Sequence, residues 1–367
     1  MIVQKGYKCR IYPTAKQKLI ISSMFGNSRF VYNYCLEYRQ RIFKEDGRNV
    51  SQFELMREIT RLRSQEDTKW LSDGDSMALQ EAVKDLNKAY QNFFRKNNRF
   101  PKFHSKRGKQ SYRTRNQGNG IRLEGNTVRI PKVGYVKYKG LKPFAGRILN
   151  ATVSLSNSGK YYISLCVNEE TVLKGNNGGK IGIDVGISEF YSDSNGNRID
   201  NPQTLNSHLK KLIRAQRRLS RKEKGSSNRH KQKIRLAVIH EKIANIRKDF
   251  LHKQSRMLTS ENQVVCIEDL NVKGMMKNHY LARNISDVSW SEFFRMIQYK
   301  SEEHGCTIIR VPTFYPSSQT CSNCGYQNTK VRNLSIREWD CPECGMHHDR
   351  DHNAAINILR KGLEMMS

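Results

Sequence analysis

Four cysteines stand in two short pairs, Cys321 and Cys324 in "CSNCG" and Cys341 and Cys344 in "CPECG". Their spacing, C-x2-C-x16-C-x2-C, is one in which two tight knuckles bring four thiolates into a tetrahedron around Zn2+. A glycine follows each pair, Gly325 and Gly345, where the knuckle needs a backbone conformation that only glycine adopts cheaply. With all four positions filled by sulfur, one bound Zn2+ would have no open position for water, so its expected role is to fold the segment. A redox-active pair would not explain two matching knuckles. Cys9, Cys35, Cys166, Cys266 and Cys306 lack comparable neighbours and read as buried small hydrophobes.

Three carboxylates make a second constellation. Asp184 ends the apolar run "GKIGID", Glu268 ends "QVVCIE", and Asp351 precedes "HNAAINILRKG". A lone charge at the end of an apolar strand is costly to bury, so such a strand usually supplies a partner, often a metal ion. Each acid also has a simpler role: Asp184 as a loop cap, Glu268 beside Asp269 as a surface strand end, Asp351 as the N-cap of a last helix. Together they are the hard-oxygen inventory of a two-Mg2+ site, where one ion activates water and the other stabilises the leaving oxygen of a phosphodiester. Ala354 and Ala355 would let the last helix lie close against a sheet.

The elements that must position these groups follow from pattern. Residues 2–12 carry β-type residues and stop at Pro13, which predicts a strand; 14–94 carry helical periodicity with breakers at "KEDGRN" and "LSDGDS", which predicts a bundle of about four helices. Short alternating runs at 121–138 and 147–167 predict an antiparallel unit with turns at Gly125-Asn126 and Ser158-Gly159, which the first strand could join. After the linker "LKGNNGG" the order changes: strand 180–185, a hairpin through "DSNGN", long helices over 204–259, strand 263–268, helix 288–304, strand 306–312, the cysteine block and a last helix. Strands alternating with helices predict an α/β domain.

Charge narrows the partner. The 367 residues hold 65 Lys+Arg against 34 Asp+Glu, a net +31, which suits a polyanion bound through phosphates. No run of about 18 apolar residues could span a bilayer. The start "MIVQKGYKCRIYPT" lacks an apolar export signal, and 9 cysteines, an odd number, argue against a disulfide framework, so the expected location is the cytoplasm, in the cytosol or nucleoid. Arg99, Lys102, Lys106, Arg107, Arg113 and Arg115 are interleaved with Phe100, Phe103 and Tyr112, a mixture suited to phosphates and stacked bases. Lys210, Lys211, Arg214, Arg217, Arg218 and Arg221 crowd one helix, a density that repels itself without a phosphate-bearing partner. For both stretches the plainer reading is a solvated basic surface.

"GIDVGI", "VVCIEDLNVKGM", "YPSSQTCSNCG" and "WDCPECGMHHDRDHNAAINIL", with "KCRIYPTAKQKLI" and "FVYNYCLEYR" near the start, resemble in order and spacing the TnpB family of transposon-encoded RNA-guided nucleases, related to type V CRISPR effectors. The likeness covers nearly the whole chain. It implies a multidomain α+β architecture. A wedge-type β-barrel (1–12 and 105–178) would be interrupted by a helical recognition insertion (13–104). An RNase H-like RuvC α/β domain (179–312 and 349–367) would be interrupted by a zinc ribbon (313–348). It implies that Asp184, Glu268 and Asp351 are catalytic and bind Mg2+, Asp351 and not Asp349 being the matching aspartate of "HDRDHNAA". It also implies a transposon-derived guide RNA, one chain per guide, and double-stranded target DNA chosen by base pairing beside a short motif. Asn33 and Gln80 are candidates for reading that motif. A nuclease-dead repressor on this scaffold should lack part of the acidic triad. A DNA transposase would need strand transfer, and a structural zinc-ribbon RNA-binding protein would leave the carboxylates idle.

Overall fold

The first strand, β1 (Ile2–Tyr12), buries Cys9 and Ile11 and exposes the residues between them. Thr14 and Gln17 then form a capping box, each side chain bonding the other's backbone N–H, and α1 (Ala15–Asp46) begins. It ends at Gly47, whose φ of 64° is the left-handed cap glycine adopts most readily. A second capping box, Ser51 with Glu54, opens α2 (Gln52–Ser64); a 3-10 turn over Glu66–Asp73 leads to α3 (Ser76–Phe94). The insertion therefore has three α-helices and a 3-10 turn where the periodicity predicts about four helices. Nothing between Thr14 and Asp46 breaks the first, so its 32 residues are continuous.

This structure is a computed structural model that describes residues 2–170 and 172–366. It falls into two units, Met1–Thr171 and Val172–Ser367. In the first, β2 (Gln110–Arg115), β3 (Arg122–Glu124), β4 (Thr127–Ile130), β5 (Gly134–Lys139), β6 (Arg147–Leu155) and β7 (Tyr161–Glu170) join β1 in a curled seven-stranded sheet. Its order is β2-β6-β7-β1-β5-β4-β3, every pairing antiparallel. The chain's opening strand thus lies between β7 and β5, and the three helices are an excursion between β1 and β2. Ile21, Met24 and Phe25 of α1 complete the core beneath the sheet.

The second unit has a mixed sheet of order β10-β9-β8-β11-β12. Its strands β8 (Gly179–Val185), β11 (Asn262–Glu268) and β12 (Thr307–Val311) are parallel, while β9 (Glu189–Asp193) and β10 (Arg198–Asp200) add antiparallel hairpins. Between β10 and β11 run α4 (Thr204–Ser220) and α5 (Ser227–Glu261). Between β11 and β12 come α6 (Val272–Met275), α7 (Ala282–Val288) and α8 (Trp290–His304). The helix predicted over 288–304 starts at Trp290, because Ser289 is left-handed, at φ 60°, and divides α7 from α8. A two-stranded ribbon, β13 (Glu338–Asp340) with β14 (His347–Asp349), precedes the last helix, α9 (Arg350–Glu364).

Alternation sorts the side chains of the parallel strands onto two faces. Ile181, Ile183, Val265 and Ile267 join the core with Leu251 of α5 and Phe293 and Ile297 of α8. Val264 and Cys266 face the other way and pack with Ile358 of α9. Two glycines set how close α9 comes: a Cβ on Gly182 would lie 2.3 Å from the Ala355 carbonyl oxygen, and one on Gly362 would lie 2.3 Å from Cys266 Sγ. Of the five remaining cysteines, Cys9, Cys35, Cys266 and Cys306 are buried, but Cys166 is only half-buried, a correction to the sequence reading. Among the described residues no helix is long and apolar enough to cross a membrane.

Candidate active site and metal centre

Ile183 of β8 pairs with Ile267 of β11 at the end of their parallel register, and the next residues are Asp184 and Glu268. The carboxylates therefore stand at the ends of adjacent strands, Glu268 last in β11 and Asp184 next to last in β8, and by alternation both share the face of Gly182 and Cys266, against which α9 packs. The third acid stands in the first turn of that helix. Asp349, not Asp351, is the N-cap: its Oδ1 accepts from the His352 N–H at 2.9 Å. Asp349 also pairs with Arg198, so its carboxylate is fully engaged in structure. Asp351, whose simplest sequence role is that cap, instead accepts from Arg337 Nη1 at 3.3 Å through both oxygens.

Burial and the nearby Glu268 and Asp351 carboxylates push the Asp184 carboxyl well above its ordinary range, against the pull of Arg350 and Arg337. Burial raises Glu268 also, opposed by the Ser317 hydroxyl, which donates to Glu268 Oε1 at 2.6 Å. Asp184, raised by burial and by two neighbouring carboxylates, and Glu268, raised by burial, form a site that favours either protons or cations. Among the described residues the one group of three or more metal-ligating side chains gathered tightly enough to hold an ion is the four cysteines, whose sulfurs lie within 4.8 Å of one another; the three carboxylates do not form such a group. Carboxylates so arranged suit Mg2+, which keeps several waters and takes few protein ligands.

The cysteines form a closed centre. Sγ of Cys321 and Cys344 are 3.7 Å apart and those of Cys324 and Cys341 3.6 Å, close to the roughly 3.8 Å edge of a tetrahedron with Zn–S bonds of about 2.3 Å. The two knuckles are near copies. Cys321 N–H donates to Tyr326 O and Gly325 N–H to Cys321 O; Cys341 N–H donates to Met346 O and Gly345 N–H to Cys341 O, all at 2.8–2.9 Å. Gly325 and Gly345 have φ of 82° and 70°, the conformation their position demands. The Asn323 amide, 3.5 Å from Cys344 Sγ, and the Met346 backbone N–H help bring that thiol down to about 6, whereas burial and the neighbouring sulfurs raise Cys324 to about 12, so that the crowded thiols do not ionise alike without a cation. His348 places Nε2 3.0 Å from Cys321 Sγ, and burial lowers its pKa toward the neutral imidazole.

Sequence pattern did not reveal what joins the two centres. Asn353 and Asn357, four apart and on one face of α9, are buried and reach the strand of chain leading into the first knuckle. Asn357 Nδ2 donates to the carbonyls of Ser317 and Thr320 at 2.9 and 2.6 Å; Asn353 donates to Thr320 O at 2.8 Å and accepts from Ser322 N at 2.9 Å. The same stretch supplies Ser317 to Glu268, while Arg337, on the ribbon, reaches Asp351. The available signal was two amides at helical spacing inside the apolar stripe "NAAIN".

The basic candidates divide. Arg99, Lys102, Lys106 and Arg107 are exposed. Arg113 and Arg115 instead tie β2 to α3 by pairing with the buried Glu81, at 2.9 and 2.7 Å. On α4, Lys210, Lys211, Arg214, Arg217, Arg218 and Arg221 are all exposed, with no ion pair to a described residue. The Asn33 carboxamide clamps the backbone of His104, donating to its carbonyl at 2.9 Å and accepting from its N–H at 2.7 Å, so it does not project for base reading. Gln80 lines a groove of about 270 Å³ between α2 and α3 with Arg57, Thr60 and Arg63.

Residues 164–279 match a family described as "Probable transposase", residues 290–358 one described as "Cas12f1-like, TNB domain", and residues 1–48 a "Helix-turn-helix domain". In this structure those first residues form a strand and one long helix. A Streptomyces pristinaespiralis protein named "Putative RNA-guided DNA endonuclease" is 35% identical over 98% of this chain and 90% of its own. An Escherichia coli (strain K12) protein named "Putative RNA-guided DNA endonuclease InsQ" is 32% identical over 98% of this chain and 92% of its own. The protein of a solved Cas12f1-sgRNA-target DNA complex shares the fold, with TM-score 0.62 at 15% identity over 97% of this chain and 98% of that one.

Proposed function

Because the chain belongs to the TnpB family of RNA-guided DNA endonucleases, we propose that it cleaves double-stranded DNA chosen by a bound guide RNA, next to a short motif, at one site formed by Asp184, Glu268 and Asp351. The observation that supports this reading is that Asp184 and Glu268 stand at the ends of adjacent parallel strands and that Glu268 and Asp351 are near enough to raise the Asp184 carboxyl, with Asp349 engaged elsewhere as the cap. Mg2+, when bound, would activate water and stabilise the leaving oxygen of a phosphodiester. The protein's part is to hold three oxygen donors facing one another, to keep Glu268 oriented through Ser317, and to keep Asp351 oriented through Arg337. The unpaired cations of α4 would bind backbone phosphates, while base pairing with the guide supplies sequence choice. One Zn2+ at the four thiolates would brace the ribbon beside the site.

The test is a purified protein with its co-expressed RNA, offered a plasmid that carries the guide-matched target in Mg2+. Asp184→Ala, Glu268→Ala and Asp351→Ala should each abolish cleavage while RNA and DNA binding persist; parental cutting by any of them would refute the assignment. The family description "Probable transposase" supports a second reading, DNA joining. Joined products on transposon ends, absent from the same reactions with the three variants, would favour it.

A further inference from the structure

Phe314 is 96% exposed, the most exposed of the large hydrophobic side chains among the described residues, and makes no ring contact with any of them. The chain around it is held firmly. Tyr315 N–H donates to Pro312 O at 3.0 Å, which makes Thr313 and Phe314 the corner of a turn. On one side the Thr313 hydroxyl donates to the carbonyl of Asp269 at 2.6 Å, next to Glu268. On the other, Tyr315 packs with Val311 and Ile358, and Ser317 bonds Glu268 itself. A firmly anchored turn holds a bare aromatic ring in water, where it contributes nothing to the core.

Position suggests what the ring meets. Val311 pairs with Glu268 across neighbouring strands about 4.8 Å apart, and Phe314 follows three residues later, at most about 11 Å along the chain. The ring is therefore within a few nucleotides of the acids, at roughly 3.4 Å per stacked nucleotide. In a duplex the faces of the bases are covered by their neighbours. An unpaired base offers its face, and aromatic side chains beside cationic surfaces hold single strands by stacking on it.

We propose that Phe314 is a stacking platform for an unpaired base of the strand being cut, a few nucleotides from the scissile phosphate. This rests on the nuclease reading above. The side chain would set which phosphate lies over the carboxylates, and it would do so without regard to sequence, since every base has a π-face.

The test uses the RNA-bound protein and a guide-matched target whose strands are already unpaired over the site, with single abasic residues placed at successive positions. Single-turnover cleavage by Phe314→Ala and Phe314→Leu should fall about tenfold, Phe314→Trp should cut like the parent, and the cut position should blur in the first two. In the parent, an abasic residue at one position should give the same loss, and in Phe314→Ala that residue should add nothing. Parental rates for Phe314→Ala and Phe314→Leu, or an abasic scan that is flat in the parent, would overturn the proposal. So would a Phe314→Ala complex of lower mass than the parent's together with a flat scan, which would mark the ring as a contact between copies of the chain. Asp184→Ala in the same assay separates the two readings: if it cuts, the nuclease assignment fails; if it is dead and Phe314→Ala is normal, only the platform fails.

Discussion

The cysteine centre and the acidic centre lie in one unit of the chain but are assembled in opposite ways. The thiols come from two nearly identical knuckles within 24 residues, each closed by its own backbone bonds and its own glycine. Within each knuckle local geometry places the two sulfurs, and all four lie within 4.8 Å of one another. The carboxylates come from two strands and a helix spread over residues 184–351, and their like charges oppose the approach. They are held from outside, Glu268 by Ser317 and Asp351 by Arg337, and both holders belong to the segment that carries the ribbon. On the reading proposed above, the first centre would brace the second, whose like charges oppose its own assembly.

The harshest way to break this relation is to remove the brace. Zinc-finger peptides bind Zn2+ with about 10–16 kcal/mol, so Cys341→Ser or a strong chelator should unfold the ribbon, with proteolysis confined to about residues 313–349. DNA cleavage should fall by about 100-fold or more as Ser317 and Arg337 lose their positions. Metal analysis should find one equivalent of zinc in the parent. A folded, active, zinc-free parent would disprove the dependence.

A milder cut separates brace from site while leaving both intact. Asn357→Ala removes the donor to the Ser317 and Thr320 carbonyls; Thr320 keeps its bond from Asn353, and leaving the Ser317 carbonyl unpaired costs about 1–3 kcal/mol. Thermal unfolding should move down accordingly, cleavage should fall, and zinc content should stay at one per chain. If zinc is lost with the amide, the two centres are not separable in the way described.

The smallest effect tests the strain itself. Because the folded Asp184 carboxyl is held above its unfolded range near 3.9, the metal-free native state binds the extra proton between the two values, and stability falls as pH rises through the higher one. Asp184→Asn should therefore raise the melting temperature of the metal-free protein by a few degrees at neutral pH. That gain should vanish in acid, where the parent carboxyl is itself protonated. A variant less stable than the parent at neutral pH would mean the charge is not strained.

Much of this was legible in residue order. The knuckles, the apolar runs ending in Asp184 and Glu268, and the small residues of the last helix each encode local geometry in a few positions, and the alternation of strand residues sorts them to faces. The bundle was harder to count, since helix ends without a breaker carry little signal. Asn33 shows the same difficulty at one residue, because only the fold brings His104, 71 positions away, into its carboxamide. Arg113 and Arg115 read as free cations until α3 sets Glu81 against them.

The types of ligand, the spacing of the thiols and the excess of positive charge are written in residue order. These depend on neighbours a few bonds away, and chain connectivity enforces them. Folding in three dimensions selects which of two nearby aspartates caps α9 and which lies near the strand carboxylates, how Asn353 and Asn357 fasten the ribbon, and that Phe314 is left exposed. Those outcomes depend on the register of β8 against β11 and the close approach of α9 at Gly182 and Gly362, contacts between segments far apart in the chain that packing alone selects.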